Sequence, residues 1–197
     1  MTAFTLAVFL LLITPGPGVL STAGIGSGFG FRAGFAYVFG LWLGNNAVAI
    51  AVVSGLAALM LSVPWLRALL LAASVAYLFY LAAKIAFSGS RIGFIHAERP
   101  PGVLGGLALQ AINPKAYVVH TTLMTGFAFM PQNLPLEIVL KFIIMNLIWV
   151  PIHLAWLWAG VAVNRLDLPP HKQRTINIAM ALAMLAVVGL AILSRPA

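Results

Sequence analysis

Residues able to do chemistry are few in this chain, and two groups share one pattern: a helix-breaking run inside an apolar stretch. The first is Thr14-Pro15-Gly16-Pro17-Gly18, where two prolines remove backbone donors and two glycines release the usual helical dihedrals. The second is Ile112-Asn113-Pro114-Lys115-Ala116, where the proline steers Asn113 out of the helical region and Lys115 adds a formal charge. A helix interrupted in this way exposes N–H groups and the positive end of its dipole, an arrangement suited to a carboxylate or another small anion. The candidate substrate-binding positions are therefore Pro15, Gly16, Pro17, Gly18, Asn113, Pro114 and Lys115, with Asn45 and Asn46 as hydrogen-bonding partners for an amino or side-chain group. Lys115, His120 and His153 are the titratable groups within apolar segments and the candidates for proton coupling. Other chemistries lack their residues: there is no Ser-His-Asp set, no metal-ligand cluster, no nucleotide loop and no cysteine. No catalytic residue, metal or cofactor is expected.

The elements that must position these residues belong in a membrane. The 197 residues are 62% hydrophobic and 7% charged, whereas a soluble domain has roughly a quarter of its residues charged. A water-facing surface built from such a chain would present large associating apolar patches. At about 20 residues per crossing, hydropathy predicts six helices: Thr2–Ser27, Phe35–Leu61, Pro64–Phe87, Val103–Phe129, Leu136–Asn164 and Thr175–Leu193. Pro15 then lies roughly 20 Å into the first span, near the middle of a core about 30 Å thick. The second break falls at comparable depth in the fourth span. Irregular backbone there must be buried in protein or line a water-filled cavity.

The longest polar stretch splits the chain into two sets of three helices. The expectation is one transmembrane domain over 1–197, with a first repeat at 1–87, a cytoplasmic connector at 88–102 and a second repeat at 103–197. Leu168-Pro169-Pro170 reads as a further stiff connector. Breaks in the first helix of each half occupy corresponding positions, and an odd number of helices per half gives the halves opposite orientations. That is the pattern of an all-α inverted-repeat transporter, with substrate at the midplane between half-helices. Arg32, Lys84, Arg91, Arg99, Arg165, Lys172 and Arg174 fall on one side, against Arg67, Lys141 and Arg195 on the other. The positive-inside rule therefore puts both termini on the outer face. The net charge of +8 fits basic loops against anionic lipid and implies no nucleic-acid partner. Met1 to Phe31 carries no charged side chain and is expected to be a retained first span.

In order and spacing, Thr14-Pro15-Gly16-Pro17-Gly18, the glycines Gly30, Gly34, Gly40 and Gly44, and Asn113-Pro114-Lys115-Ala116 resemble the LysE/RhtB family of amino-acid exporters. The resemblance implies a six-helix inner-membrane exporter of two inverted repeats, moving amino acids or related small metabolites outward by proton antiport. One position departs from that pattern. Family members often carry an acid directly after the second-span GxxxG, and here Asn45 and Asn46 follow Gly44; an Asn hydrogen-bonds but does not titrate.

The three acids do not replace it, since Glu98 and Asp167 fall in connections and Glu137 at the outer end of the fifth span. His153 shares a helical face with Asn146. Gly40 and Gly44 let another backbone approach, expected to be the first span or a second copy in a homodimer. Trp42, Trp65, Trp149, Trp156 and Trp158 read as interfacial anchors or as lining the path, anchors being the commoner role, and Met180 and Met184 as facing lipid or a dimer seam. The function expected is export of a small amino acid or related zwitterion. The alternative is an uncoupled uniporter or channel for small solutes.

Overall fold

Proline decides where most of the helices begin. In the computed structural model, which describes residues 1–13, 16–55, 62–87, 99–166 and 169–193, the described elements are all helices. They are α1 (Thr2–Ile13), α2 (Pro17–Val53), α3 (Pro64–Ala86), α4 (Gly102–Ile112), α5 (Pro114–Gly126), α6 (Leu134–Arg165) and α7 (Pro170–Leu193). Pro17, Pro64, Pro114 and Pro170 each occupy a first helical position, where the missing N–H would have had no partner. This corrects the expectation that Pro169-Pro170 ends a connector: the last helix starts at Pro170, not Thr175. Pro15, Glu98, Asp167 and most of the 88–102 connector lie outside the described residues.

The segment expected to form the fourth span is broken as its sequence implies, into α4 and α5 with Asn113 extended between them. The segments expected to form the first and second spans are joined more tightly than expected. Inside α2, Gly30 has φ 78° and ψ −178°, a left-handed φ that glycine alone adopts cheaply. The chain folds back there, so that a Cβ on Gly34 would lie 3.6 Å from the Cα of Gly26. Pro17–Val53 and Leu134–Val163 are each long and apolar enough to cross a membrane.

α2 is the central element, packed chiefly against α4 and α6, while α3 pairs with α7 and α1 rests on α6 and α5. Glycines set the closest approaches. A Cβ on Gly44 would sit 2.7 Å from Gln110 Cβ and 3.0 Å from the Leu107 carbonyl oxygen, and one on Gly40 would fall on the Val103 carbonyl. From the other side, Gly106 faces the backbone of Tyr37 and Leu41. The partner of the second-span glycines is thus α4, and neither the first span nor a second copy. A second crossing joins α2 to α6: a Cβ on Gly26 would meet the Leu157 carbonyl oxygen at 2.8 Å, and one on Gly160 would strike the carbonyl of Ala23.

Large side chains replace glycines at the end where α1 begins. Phe4 and Val8 of α1 pack with Ala49, Val119, Leu123 and Met145. Behind them Glu137 and Lys141 form a buried ion pair at 2.9 Å. Glu137 also accepts the N–H groups of Phe129, at 2.9 Å, and of Met130. Lys141 donates to the Met124 carbonyl at 2.9 Å and lies over the rings of Phe4 and Phe129. Removing either charge leaves the other buried without its partner, whereas removing both does not. Glu137→Ala and Lys141→Ala are each expected to lower the melting temperature, and the double variant by less than the sum. Thermal unfolding in detergent measures this.

Candidate functional site

Breaking a helix strands backbone groups, and the α4–α5 break answers several of them locally. Pro114 has no N–H for the Gln110 carbonyl, and the N–H of Asn113 takes its place at 3.2 Å. The N–H of Lys115 is held at 3.1 Å by the side-chain oxygen of Asn113, which caps α5. The Ala111 carbonyl, thereby deprived of Lys115, accepts the Tyr117 hydroxyl at 2.7 Å. The start of α2 is different. Its N-cap is Gly16, extended at φ −151° and ψ 179°, and no side chain caps it. Among the described residues, the first-turn amides of α2 therefore form a helix N-terminus without an internal anion.

The two breaks meet at a cavity of about 50 Å³, room for a few waters. Gly16, Pro17 and Gly18 line it from α2, together with Asn45 farther along the same helix. Asn113, Lys115 and His120 line it from the second break and α5, and His153 from α6. The Lys115 side chain lies across Gly16: a Cβ at that glycine would stand 2.9 Å from Cδ and 3.0 Å from Nζ. Glycine at position 16 is thus what lets the ammonium reach the start of α2. No Asp or Glu is among the lining residues.

A hydrogen-bonded chain fixes one wall. Asn113 donates to Gln110 Oε1 at 2.9 Å, and Gln110 donates to Asn45 Oδ1 at 3.2 Å. Asn45 Oδ1 also lies 3.0 Å from His120 Nε2. An amide oxygen only accepts, so the proton of His120 sits on Nε2. Its Nδ1 is buried with no hydrogen-bond partner among the described residues. His153 is oriented by a different device, stacked on Trp149 with ring centroids 3.6 Å apart and Nδ1 2.9 Å from the Trp149 carbonyl. That carbonyl places the proton on Nδ1 and leaves Nε2 as an acceptor. A Cβ on Gly18 would meet this Nε2 at 3.5 Å.

Two positions expected at the site are elsewhere. Pro114 is not among the lining residues; its role is to start α5. Asn46 faces α6, where it pairs with Asn146, so Asn146 and His153 serve different contacts despite their seven-residue spacing. Of the two readings open for the tryptophans, Trp149 takes the second: it is buried and lines the cavity. Gln110 also lines the cavity and was not among the expected positions. The signal was present, as the polar residue of the half-helix GVLGGLALQAI, one turn before Asn113.

No curated protein and no solved structure matches this chain. The LysE type translocator family model matches residues 9–195, nearly the whole length, including both breaks and the cavity between them. The chain belongs to the LysE type translocator family and is a membrane translocator.

Proposed function

We propose that the chain exports a small amino acid or related zwitterion across the bacterial inner membrane. The observation that carries this is the Lys115 ammonium beside the start of α2, which no described side chain caps, in a cavity with no acid among its described lining residues. Ammonium, helix dipole and open amides all favour a carboxylate at that place. At the opposite polarity, His153 Nε2 is an acceptor next to Gly18 and suits a substrate ammonium or a transported proton. His120 Nδ1 is a second buried nitrogen able to take a proton. Lys115, His120 and His153 are thus the proton-coupling groups of an antiport cycle, in a protein without an acid after Gly44.

The architecture proposed with this function is six spans in two inverted repeats, with both termini outside. Supporting it, a 12-residue α1 precedes a Pro17-started helix, and an 11-residue α4 precedes a Pro114-started helix. The site then sits between halves that open it alternately to each side.

The test uses purified protein in proteoliposomes with a mixture of the twenty common amino acids and a pH step. Uphill accumulation of one or a few of them, abolished by collapsing the gradient, is the expected result. Equilibration without accumulation would instead establish the uncoupled alternative, favoured by the lack of a carboxylate in the cavity.

A further inference from the structure

Neither the cavity nor the glycine crossings make use of the Asn46–Asn146 pair. Asn46 donates to Asn146 Oδ1 at 3.1 Å and Asn146 donates to Asn46 Oδ1 at 2.9 Å. Each amide also donates to the carbonyl four residues earlier in its own helix, Asn46 to Trp42 and Asn146 to Phe142, both at 2.9 Å. Both N–H groups of each amide are thereby used, which suits a half-buried polar pair in hydrocarbon. Every one of these bonds is exchanged with its counterpart when the two helices are exchanged. Such self-complementary bonding is what a two-fold axis passing between the residues produces. One bond breaks the symmetry: the Trp42 indole donates to Asn146 Oδ1 at 2.6 Å, and its counterpart Phe142 has no donor.

The helices run antiparallel through this point. To one side, Phe31 and Trp158 have ring centroids 5.5 Å apart, and a Cβ on Gly34 would meet the Leu157 side chain. To the other side, Ala49 and Met145 share an apolar cluster. An axis lying in the membrane plane relates antiparallel segments in this way.

We infer that the Asn46–Asn146 pair marks the axis relating the two halves and is the pivot about which they rock. The inference rests on the two-repeat transport reading. When the halves exchange conformations, a contact off the axis is replaced by its counterpart, while a contact on the axis maps onto itself. Asn46–Asn146 therefore keeps one geometry in both access states, and contacts such as Gly34–Leu157 open and close.

The natural chain has no cysteine, so engineered pairs can be cross-linked without background. Asn46→Cys/Asn146→Cys and Gly34→Cys/Leu157→Cys are compared, reduced and oxidised, in proteoliposome counterflow of the twenty common amino acids. Oxidising the axis pair is expected to leave transport within about twofold of the reduced form, and oxidising the other pair to lower it about tenfold or more. Equal losses for the two pairs overturn the pivot, and so does transport indifferent to both cross-links.

A second measurement keeps both asparagines and needs no transport. Nitroxides are placed at Ala47 and Leu147, and separately at Phe35 and Trp158, all exposed positions. The amino-acid mixture is expected to shift the second distance and leave the first unchanged; a shifting 47–147 distance overturns the pivot. Absence of counterflow in the unsubstituted protein would count against the transport reading; a 35–158 distance that shifts with the mixture while 47–147 stays fixed would still support the pivot, and both distances unmoved would overturn it.

Discussion

Replacing Lys115 by Ala is expected to leave the protein inserted and helical while transport falls by one to two orders of magnitude. A hydrogen bond to a charged group contributes about 1.5–3 kcal/mol, and each 1.4 kcal/mol is about tenfold. The ammonium reaches the start of α2 across Gly16, and α2 has no side-chain cap of its own, so the variant keeps the helix dipole but loses the formal charge. The backbone at this position keeps its anchor. The backbone N–H of Lys115 is held by Asn113, and that bond survives removal of the side chain. Lys115→Arg should not restore activity. The guanidinium is a wide planar fork in place of a compact ammonium, and the Lys115 chain already runs close against the backbone of Gly16. Initial rates of counterflow, with circular dichroism and size-exclusion profiles as folding controls, measure both variants. Unchanged transport by Lys115→Ala would remove the ammonium from the substrate site.

Both helix breaks were legible because proline and glycine act through local sterics. Asn113-Pro114 dictates a helix end and a helix start whatever surrounds it, and the structure puts the break there. What was not legible depends on how whole helices are rotated. Asn45 and Asn46 are neighbours, and successive residues on a helix point about 100° apart, so at most one of them faces a given cavity. The rotation of α2 is set by Gly40 and Gly44 against α4 and by Gly26 against α6, contacts between segments far apart in the chain. Asn45 consequently meets Gln110 and His120, and Asn46 meets Asn146.

The same limit applies to the glycines and to the Glu137–Lys141 ion pair. Gly40xxxGly44 announces that some backbone comes close without naming it. Gly105-Gly106 supplies the complementary small surface on α4, and pairing the two motifs would have identified the contact. Glu137 and Lys141, four residues apart, could be paired by helical spacing alone. Their burial under Phe4 could not, because it depends on where α1 lies.

Gly40→Ala is expected to be among the most damaging glycine-to-alanine substitutions at the described residues. The added Cβ would fall on the carbonyl of Val103, with the Val103 Cα only 2.9 Å away, and backbone cannot rotate aside as a side chain can. Overpacking in a filled core costs about 1–3 kcal/mol and occasionally more, and this site belongs at the upper end because Gly106 locks the same crossing from the opposite face. Relief requires α2 and α4 to separate. Separation would also pull apart the Gln110–Asn45 bond, which joins those two helices at the cavity wall. Folding and transport should therefore fail together in Gly40→Ala, shown by a lowered melting temperature in detergent and a matching loss of counterflow. Gly126→Ala is the control. A Cβ there meets nothing within 4 Å, so melting and transport should stay near those of the unsubstituted protein. If Gly40→Ala behaved like Gly126→Ala, the close approach of α2 to α4 would be wrong, and the cavity wall built on it would have to be redrawn.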